Sequence, residues 1–215
     1  MAAESIQISM RGLAEVSATA PKRKQTVLRR FKFKKSDESV GRSNYYVKAL
    51  SAIKRHHKGD HVGVQSILKD LLTAGLLETD TKKRAKLLNN HRAITDYLKN
   101  FGNRDLTICP GKRLYFVSED VVVSAQPDMV VEENGQMKLF KLNMGKDDYV
   151  GGVGALMLHT MHEAAAACGL GLESNYVECL EVSSGNRVVG PQSGFPPKKV
   201  IEDACKELSD LWNAA

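Results

Sequence analysis

Asn134-Gly135 stands between two apolar, β-rich stretches and leaves them one short connection, a two-residue hairpin turn. Both residues tolerate the positive φ that such a turn demands. The first strand is entered through Gln126-Pro127-Asp128 and runs on as Met129-Val130-Val131; the second is expected over residues 137–144. Side chains alternate along a strand, so Phe140, Leu142 and Met144 share one side while Leu139, Lys141 and Asn143 share the other. Lys141 follows Asp128 by thirteen positions. Two arrangements are open for these polar groups. Asp128, Lys141 and Asn143 converge in a cleft, as at a phosphodiester site, or they line a solvated outer face.

The same switch of periods organises the rest of the chain. Ahead of the hairpin the pattern is helical. Tyr46, Ala49, Leu50 and Ile53 recur at three and four with Ser43 placed to cap. Val64, Ile67, Leu68, Leu71 and Leu72 form a second stripe, and Ala85, Leu88, Ile94, Tyr97, Leu98 and Phe101 a third that Gly102 stops. Strands are expected at 114–117 and 121–125, joined by Ser118-Glu119-Asp120. A long helix is expected over 147–168, opened by Asp147-Asp148. A strand at 176–182 then turns through Ser184-Gly185-Asn186 into 187–189, and a closing helix spans 198–212. The segment 27–33 fits either a short strand or a frayed helix. Helices, adjacent strands, a helix, a strand and a helix amount to an α/β fold: a mixed β-sheet sandwiched by helices, with an N-terminal helical extension. The expected division is a mobile arm over 1–24, a basic helical region over 25–105 and an α/β core over 106–215.

Charge is distributed unevenly. Residues 22–58 hold thirteen Lys or Arg against Asp37 and Glu38, a net of +11, while the chain as a whole carries +6 and the remainder therefore −5. A basic segment on an acidic body favours a polyanionic partner, because neutralising phosphates releases counterions. Arg29, Arg30, Lys32, Lys34, Lys35, Lys54 and Arg55 are the candidate nucleic-acid contacts; a solvated basic face is the alternative. No apolar run reaches the ~18–20 residues that cross a bilayer, so no membrane partner is expected. The N-terminus lacks the apolar centre of a secretory signal. Cys109, Cys168, Cys179 and Cys205 are widely spaced, without a CxxC pair, and read as reduced thiols in a cytoplasmic setting. The sequence carries no signal for oligomeric state.

The order helix, β-hairpin, Pro127-Asp128, strand, long helix, strand resembles the PD-(D/E)xK nuclease superfamily, most closely its RecB-like branch, over residues 90–189. The resemblance implies a restriction-endonuclease-like fold. It also implies that Asp128 stands at the family's metal-binding aspartate, Lys141 at its second acidic ligand and Asn143 at its lysine. In that family the two acids hold Mg²⁺, which activates water, and the lysine orients the nucleophile. Here the substitutions oppose that chemistry. An ammonium replaces a carboxylate where a dication binds, and Asn143 brings no charge to a developing oxyanion. The glutamine of the RecB-like helix motif is missing from Leu156-Met157-Leu158-His159-Thr160-Met161-His162-Glu163. The expectation is a catalytically degenerate nuclease fold that binds nucleic acid or serves as an interaction subunit, with no cofactor. Two alternatives stand beside it. One is an active Mg²⁺-dependent nuclease with relocated ligands, for which Glu163, Asp147 and Asp148 are the candidates; the other is a protein-interaction module. His159 and His162 lie one turn apart but lack a third ligand at matching spacing, and His56, His57 and His61 fit phosphate contact or plain exposure.

Overall fold

The hairpin turn forms with Asn134 at φ 53° and Gly135 at φ 72°, both in the left-handed region. It joins β5 (Met129–Glu133) to β6 (Gln136–Asn143) in antiparallel register, from Met129 opposite Phe140 to Glu133 opposite Gln136. The structure is a computed structural model that describes residues 5–33, 45–149, 152–191, 193–194 and 198–214. On one side of the hairpin β2 (Thr107–Cys109) pairs antiparallel with β5. On the other, the chain crosses through α6 (Val153–Ala167) and returns as β7 (Val177–Glu181), parallel to β6. The last strand, β8 (Arg187–Val189), lies antiparallel to β7 and completes the order β2-β5-β6-β7-β8. Its turn holds Gly185 at φ +77°, where a Cβ would stand 3.0 Å from Asn100 Cγ. Asn100 Nδ2 donates to the Val182 carbonyl at 3.0 Å. Glycine is needed there for both conformation and room.

A second sheet has the order β1-β4-β3. Here β1 (Ile6–Ser9) pairs parallel with β4 (Val121–Ser124), and β3 (Tyr115–Ser118) pairs antiparallel with it. Helix α1 (Met10–Ala18) follows β1 at once; the Ser9 side chain accepts from Gly12 N–H and caps it. Pro21 opens α2 (Pro21–Lys32), the position that costs a helix no hydrogen bond. Further on come α3 (Val47–His56), α4 (His61–Leu77) and α5 (Thr81–Phe101), the last two capped by the carboxylates of Asp60 and Asp80. The chain closes with α7 (Lys199–Ala214).

Alternation in the central strands feeds two cores. Val130, Leu139, Val177 and Cys179 face α1, α6, α7 and the second sheet, while Met129, Phe140, Leu142 and Leu180 face the α3–α5 layer. The five-stranded sheet is thus covered on both sides, and the fold is the α/β sandwich expected. Among the described residues no helix is long and apolar enough to cross a membrane. The four cysteines are free thiols, with Cys179 and Cys205 buried.

Three expectations are corrected. The mobile arm assigned to 1–24 is, over its described part, a strand and helices, with Ile6, Ile8, Met10, Leu13, Ala14 and Val16 buried in the first core. A four-residue strand passing directly into a nine-residue helix gives neither period room to repeat. The segment 27–33 is helical, and because α2 packs with α1 and α7 it belongs to the α/β core, outside the α3–α5 layer. Finally, α6 begins at Val153, so Asp147 and Asp148 precede the helix; Ser43 lies outside the described residues.

Candidate functional site

Asp128 N–H donates to the Phe140 carbonyl at 2.8 Å, which holds the aspartate just ahead of β5 at the end of the β5–β6 ladder. Lys141 Nζ lies 3.0 Å from Asp128 Oδ1 and 3.4 Å from the Gln126 carbonyl, and Leu142 N–H donates to Asp128 Oδ2 at 2.8 Å. Each carboxylate oxygen therefore already has a donor. The pair is about one-fifth exposed on each side (20% and 24%), at the lip of the sheet where water still reaches it. Lys54, on α3, lies close enough for the Asp128 charge to offset part of the burial that lowers its pKa.

Asn143 is turned elsewhere. Its Nδ2 donates to Glu181 Oε2 at 2.6 Å and to the Asp147 carbonyl at 2.9 Å, and its Oδ1 accepts from Gly145 N–H at 3.1 Å. Tyr149 N–H donates to the other Glu181 oxygen at 3.2 Å. Burial raises the Glu181 pKa; the Asn143 and Tyr149 hydrogen bonds oppose that rise, and Asp148 adds to it. Asp148 is itself held by Ser184 and Asn186. Over this group lies the Tyr149 ring, with the Arg11 guanidinium carbon 5.4 Å from its centroid. Burial raises the Tyr149 pKa, against the pull of Arg11. Of the two arrangements open at the hairpin, neither holds for all three groups, which fall into two neighbours: an Asp128–Lys141 ion pair and an Asn143–Glu181 cluster.

Glu163 is on α6 beside two histidines, with its Oε1 3.4 Å from His162 Nδ1 and 3.9 Å from His159 Nε2. His162 Nε2 meets the Leu172 carbonyl at 3.0 Å. Glu163 is thus engaged within its own helix, and His162 reaches the following loop. His56 and His57 contact the Gly102 carbonyl and the Tyr97 hydroxyl, so both serve the junction of α3 with α5.

Among the described residues the candidate basic contacts are divided between two layers. Arg29 and Arg30 are exposed on α2, whereas Lys32 Nζ donates to the Trp212 carbonyl at 2.7 Å. Arg55 pairs with Asp60 at 3.4 Å, and both Lys54 and Arg55 are on α3, in the other layer. Lys34 and Lys35 lie outside the described residues.

Two groups escaped the sequence reading. Glu181 is one. Arg104 is the other: it donates to Glu133 at 2.6 and 2.7 Å and to Glu178 at 2.9 Å, with Lys138 bridging the same acids at 2.7 and 3.2 Å. The available signal was two acids, Glu178 and Glu181, in a strand whose five residues are all buried, because a buried carboxylate requires partners. Their separation of three places them on opposite faces, so each needs its own set.

The residues around Asp128 do not fit Mg²⁺. The ion is held through one or two carboxylates and its own waters, whereas the Asp128 oxygens are engaged by an ammonium and an amide and Glu181 by Asn143 and Tyr149. Among the described residues no three His, Cys, Asp or Glu side chains are grouped to hold a metal ion. No family model, curated protein or solved structure matches the chain.

Proposed function

We propose that this chain is a hydrolytically silent protein of nuclease-like fold that binds the phosphate backbone of nucleic acid. The observation that carries the reading is the Lys141–Asp128 contact at 3.0 Å. An ammonium seated on the aspartate supplies the positive charge that a magnesium ion would bring, yet it can neither polarise water nor exchange ligands. The order of strands and helix about this pair supports the likeness to the PD-(D/E)xK superfamily. For the partner, α2 is the strongest support: its twelve residues include Lys22, Arg23, Lys24, Arg29, Arg30 and Lys32 and no acid. Lys24 pairs with Glu207 and Lys32 with Trp212, while Lys22, Arg23, Arg29 and Arg30 remain exposed. Arg and Lys so arranged act on phosphates as diffuse positive charge, independent of base sequence.

The test has two arms. Binding of duplex and single-stranded DNA and RNA is followed against salt, for the parent and for Arg29→Glu/Arg30→Glu. The reversal is expected to weaken binding at every sequence and to reduce the salt slope by about two. Incubation of plasmid and single-stranded DNA with Mg²⁺ or Mn²⁺ is expected to leave both intact. Cleavage that disappears in Asp128→Ala overturns the silent reading, and absence of binding at low salt transfers the function to a protein partner.

A further inference from the structure

We infer that two copies of this chain join through the free edge of the three-stranded sheet, β3 pairing antiparallel with β3 of the second copy. This strand ends the order β1-β4-β3. Its register with β4 places Leu114 opposite Ala125, and the Leu114 carbonyl accepts from Ala125 N–H at 2.9 Å. In an antiparallel ladder the backbone groups alternate in direction. Tyr115 and Val117 consequently direct both N–H and C=O away from β4. Among the described residues no backbone hydrogen bond reaches either of them from beyond the β3–β4 ladder.

Such an edge normally carries a lysine, a proline or a bulge that discourages pairing. This strand reads Tyr-Phe-Val-Ser, with Tyr115 44% and Val117 61% exposed, so it is apolar, flat in composition and open. Beside it, a cleft of about 560 Å³ separates Val117, Ser118 and Glu119 from α7. A strand needs only the ordinary inter-strand spacing of about 4.8 Å to enter there. The α7 side of the cleft presents Lys199 and Lys206 together with Glu202 and Asp203, a balanced set that repels neither sign.

What selects a second copy is the charge at the two ends of the strand. Arg113 precedes it and Glu119 follows it; both are exposed, and neither is ion-paired among the described residues. Only registers that oppose outward-facing residues form hydrogen bonds. One of these places Phe116 opposite Phe116 of the second copy, on the symmetry axis. Tyr115 then faces Val117 of the other copy, and each such pair exchanges both backbone hydrogen bonds. In the same register Arg113 meets Glu119 of the other copy at both ends. Sliding by one pair in either direction loses that match: Arg113 then faces Val117 or Val121, and Glu119 faces Gly111 or Tyr115. The contact is closed and isologous, so association stops at the dimer. A four-residue strand is a small interface, and a concentration-dependent equilibrium is expected in place of an obligate dimer.

The test is sedimentation velocity on the full chain over a concentration series. The parent is expected to shift from monomer to dimer as concentration rises. Val117→Pro removes an outward N–H that β4 does not use, and proline is tolerated at such edge positions; it is expected to remain monomeric with an unchanged circular dichroism spectrum. Arg113→Glu alone and Glu119→Arg alone each weaken dimerisation, and the double exchange restores it. Should Val117→Pro unfold, the charge exchange decides by itself. A parent that stays monomeric at its highest soluble concentration overturns the inference, even if the edge takes up an extended peptide of another protein. So does a dimer that survives Val117→Pro in folded form, or a double exchange that fails to restore pairing.

Discussion

Replacing Lys141 with glutamate converts the ion pair at the hairpin into two facing carboxylates and gives the strand the acid that a metal-binding arrangement uses. The cost follows from the geometry. Lys141 and Asp128 are 20% and 24% exposed and 3.0 Å apart, so the lost attraction is that of a partly solvated pair, about 1 kcal/mol. Two carboxylates held at ~4 Å repel by about 4 kcal/mol at an effective dielectric constant near 20. Exposure lets the side chains separate, which leaves about 1–3 kcal/mol, and the metal-free Lys141→Glu protein should lose about 2–4 kcal/mol in all. For a chain of 215 residues this is a fall in Tm of roughly 4–16 °C. Lowering the pH should return part of it, because one proton shared at the pair removes the repulsion. Mg²⁺ or Mn²⁺ at ~100 times its Kd should return about 2.7 kcal/mol. Asn143 is left in place, so the buried Glu181 keeps its donor. The assay is thermal unfolding of the parent, Lys141→Glu and Lys141→Gln with and without each ion. The parent and Lys141→Gln should not respond to metal, and Lys141→Gln should lose only about 1 kcal/mol. A parent stabilised by metal as strongly as Lys141→Glu would refute the reasoning, since the ammonium would then not be what keeps the ion out. A Lys141→Glu protein as stable as the parent and indifferent to metal would refute it equally.

Arg104→Met leaves the buried Glu178 with Lys138 at 3.2 Å and Arg187 at 3.9 Å, and should cost about 3–5 kcal/mol in urea unfolding. Hydrogen bonding to Arg104 is the main cause that depresses the Glu133 pKa from 4.5 to about 2. Parent stability from that group is therefore complete above 4.5 and lost as pH falls towards 2, and the variant should show a smaller loss across that window. His57, hydrogen-bonded to the Tyr97 hydroxyl, is held down from 6.5 to about 4, chiefly by burial. The unfolded chain binds the extra proton in this interval, so urea midpoints should fall as pH drops from 6.5 to 4, and His57→Gln should flatten that slope. Asn143→Leu removes the side-chain donor to buried Glu181 and should cost about 1–3 kcal/mol, part of which Glu181→Gln in the same background restores.

The legible parts of the fold were those whose pattern repeats. Asn134-Gly135 with alternating residues on both sides identified the β5–β6 hairpin, and the stripes along α4 and α5 ran long enough to display their period. The N-terminal elements were illegible because each is short: Ile6 and Ile8 alternate once before Met10, Leu13 and Ala14 adopt helical spacing. The basic run is one stretch in sequence but is divided in space. Charge clusters in sequence, but α2 joins the first core and α3 the second, so Arg29 and Lys54 come to lie in different layers of the sandwich. At the site, the parity of β6 together with the hairpin was sufficient to bring Lys141 to Asp128. No local pattern could bring Glu181 to Asn143, since β7 reaches β6 only after the α6 crossover, thirty-eight residues later.

That crossover also explains how the sheet bears so much buried charge. β7 has neighbours on both edges and a helical layer on each face, and it still carries Glu178 and Glu181 at 1% and 2% exposure. An odd separation sends the first towards Arg104 and Lys138 beneath the α3–α5 layer, and the second towards Asn143 and Tyr149 beneath α1 and α6. A slip of β7 by one residue against β6 would exchange their faces and strand both carboxylates away from their donors. Apolar neighbours such as Leu180 and Cys179 could trade places at far smaller cost. The acids therefore fix the register of the parallel pair, and through it the alignment of Asn143 with Glu181 and of Lys141 with Asp128. Because Lys141 neutralises Asp128 from within the chain, this alignment is complete without a bound cation. The same internal neutralisation is what allows the polar seam of the sheet to fold on its own.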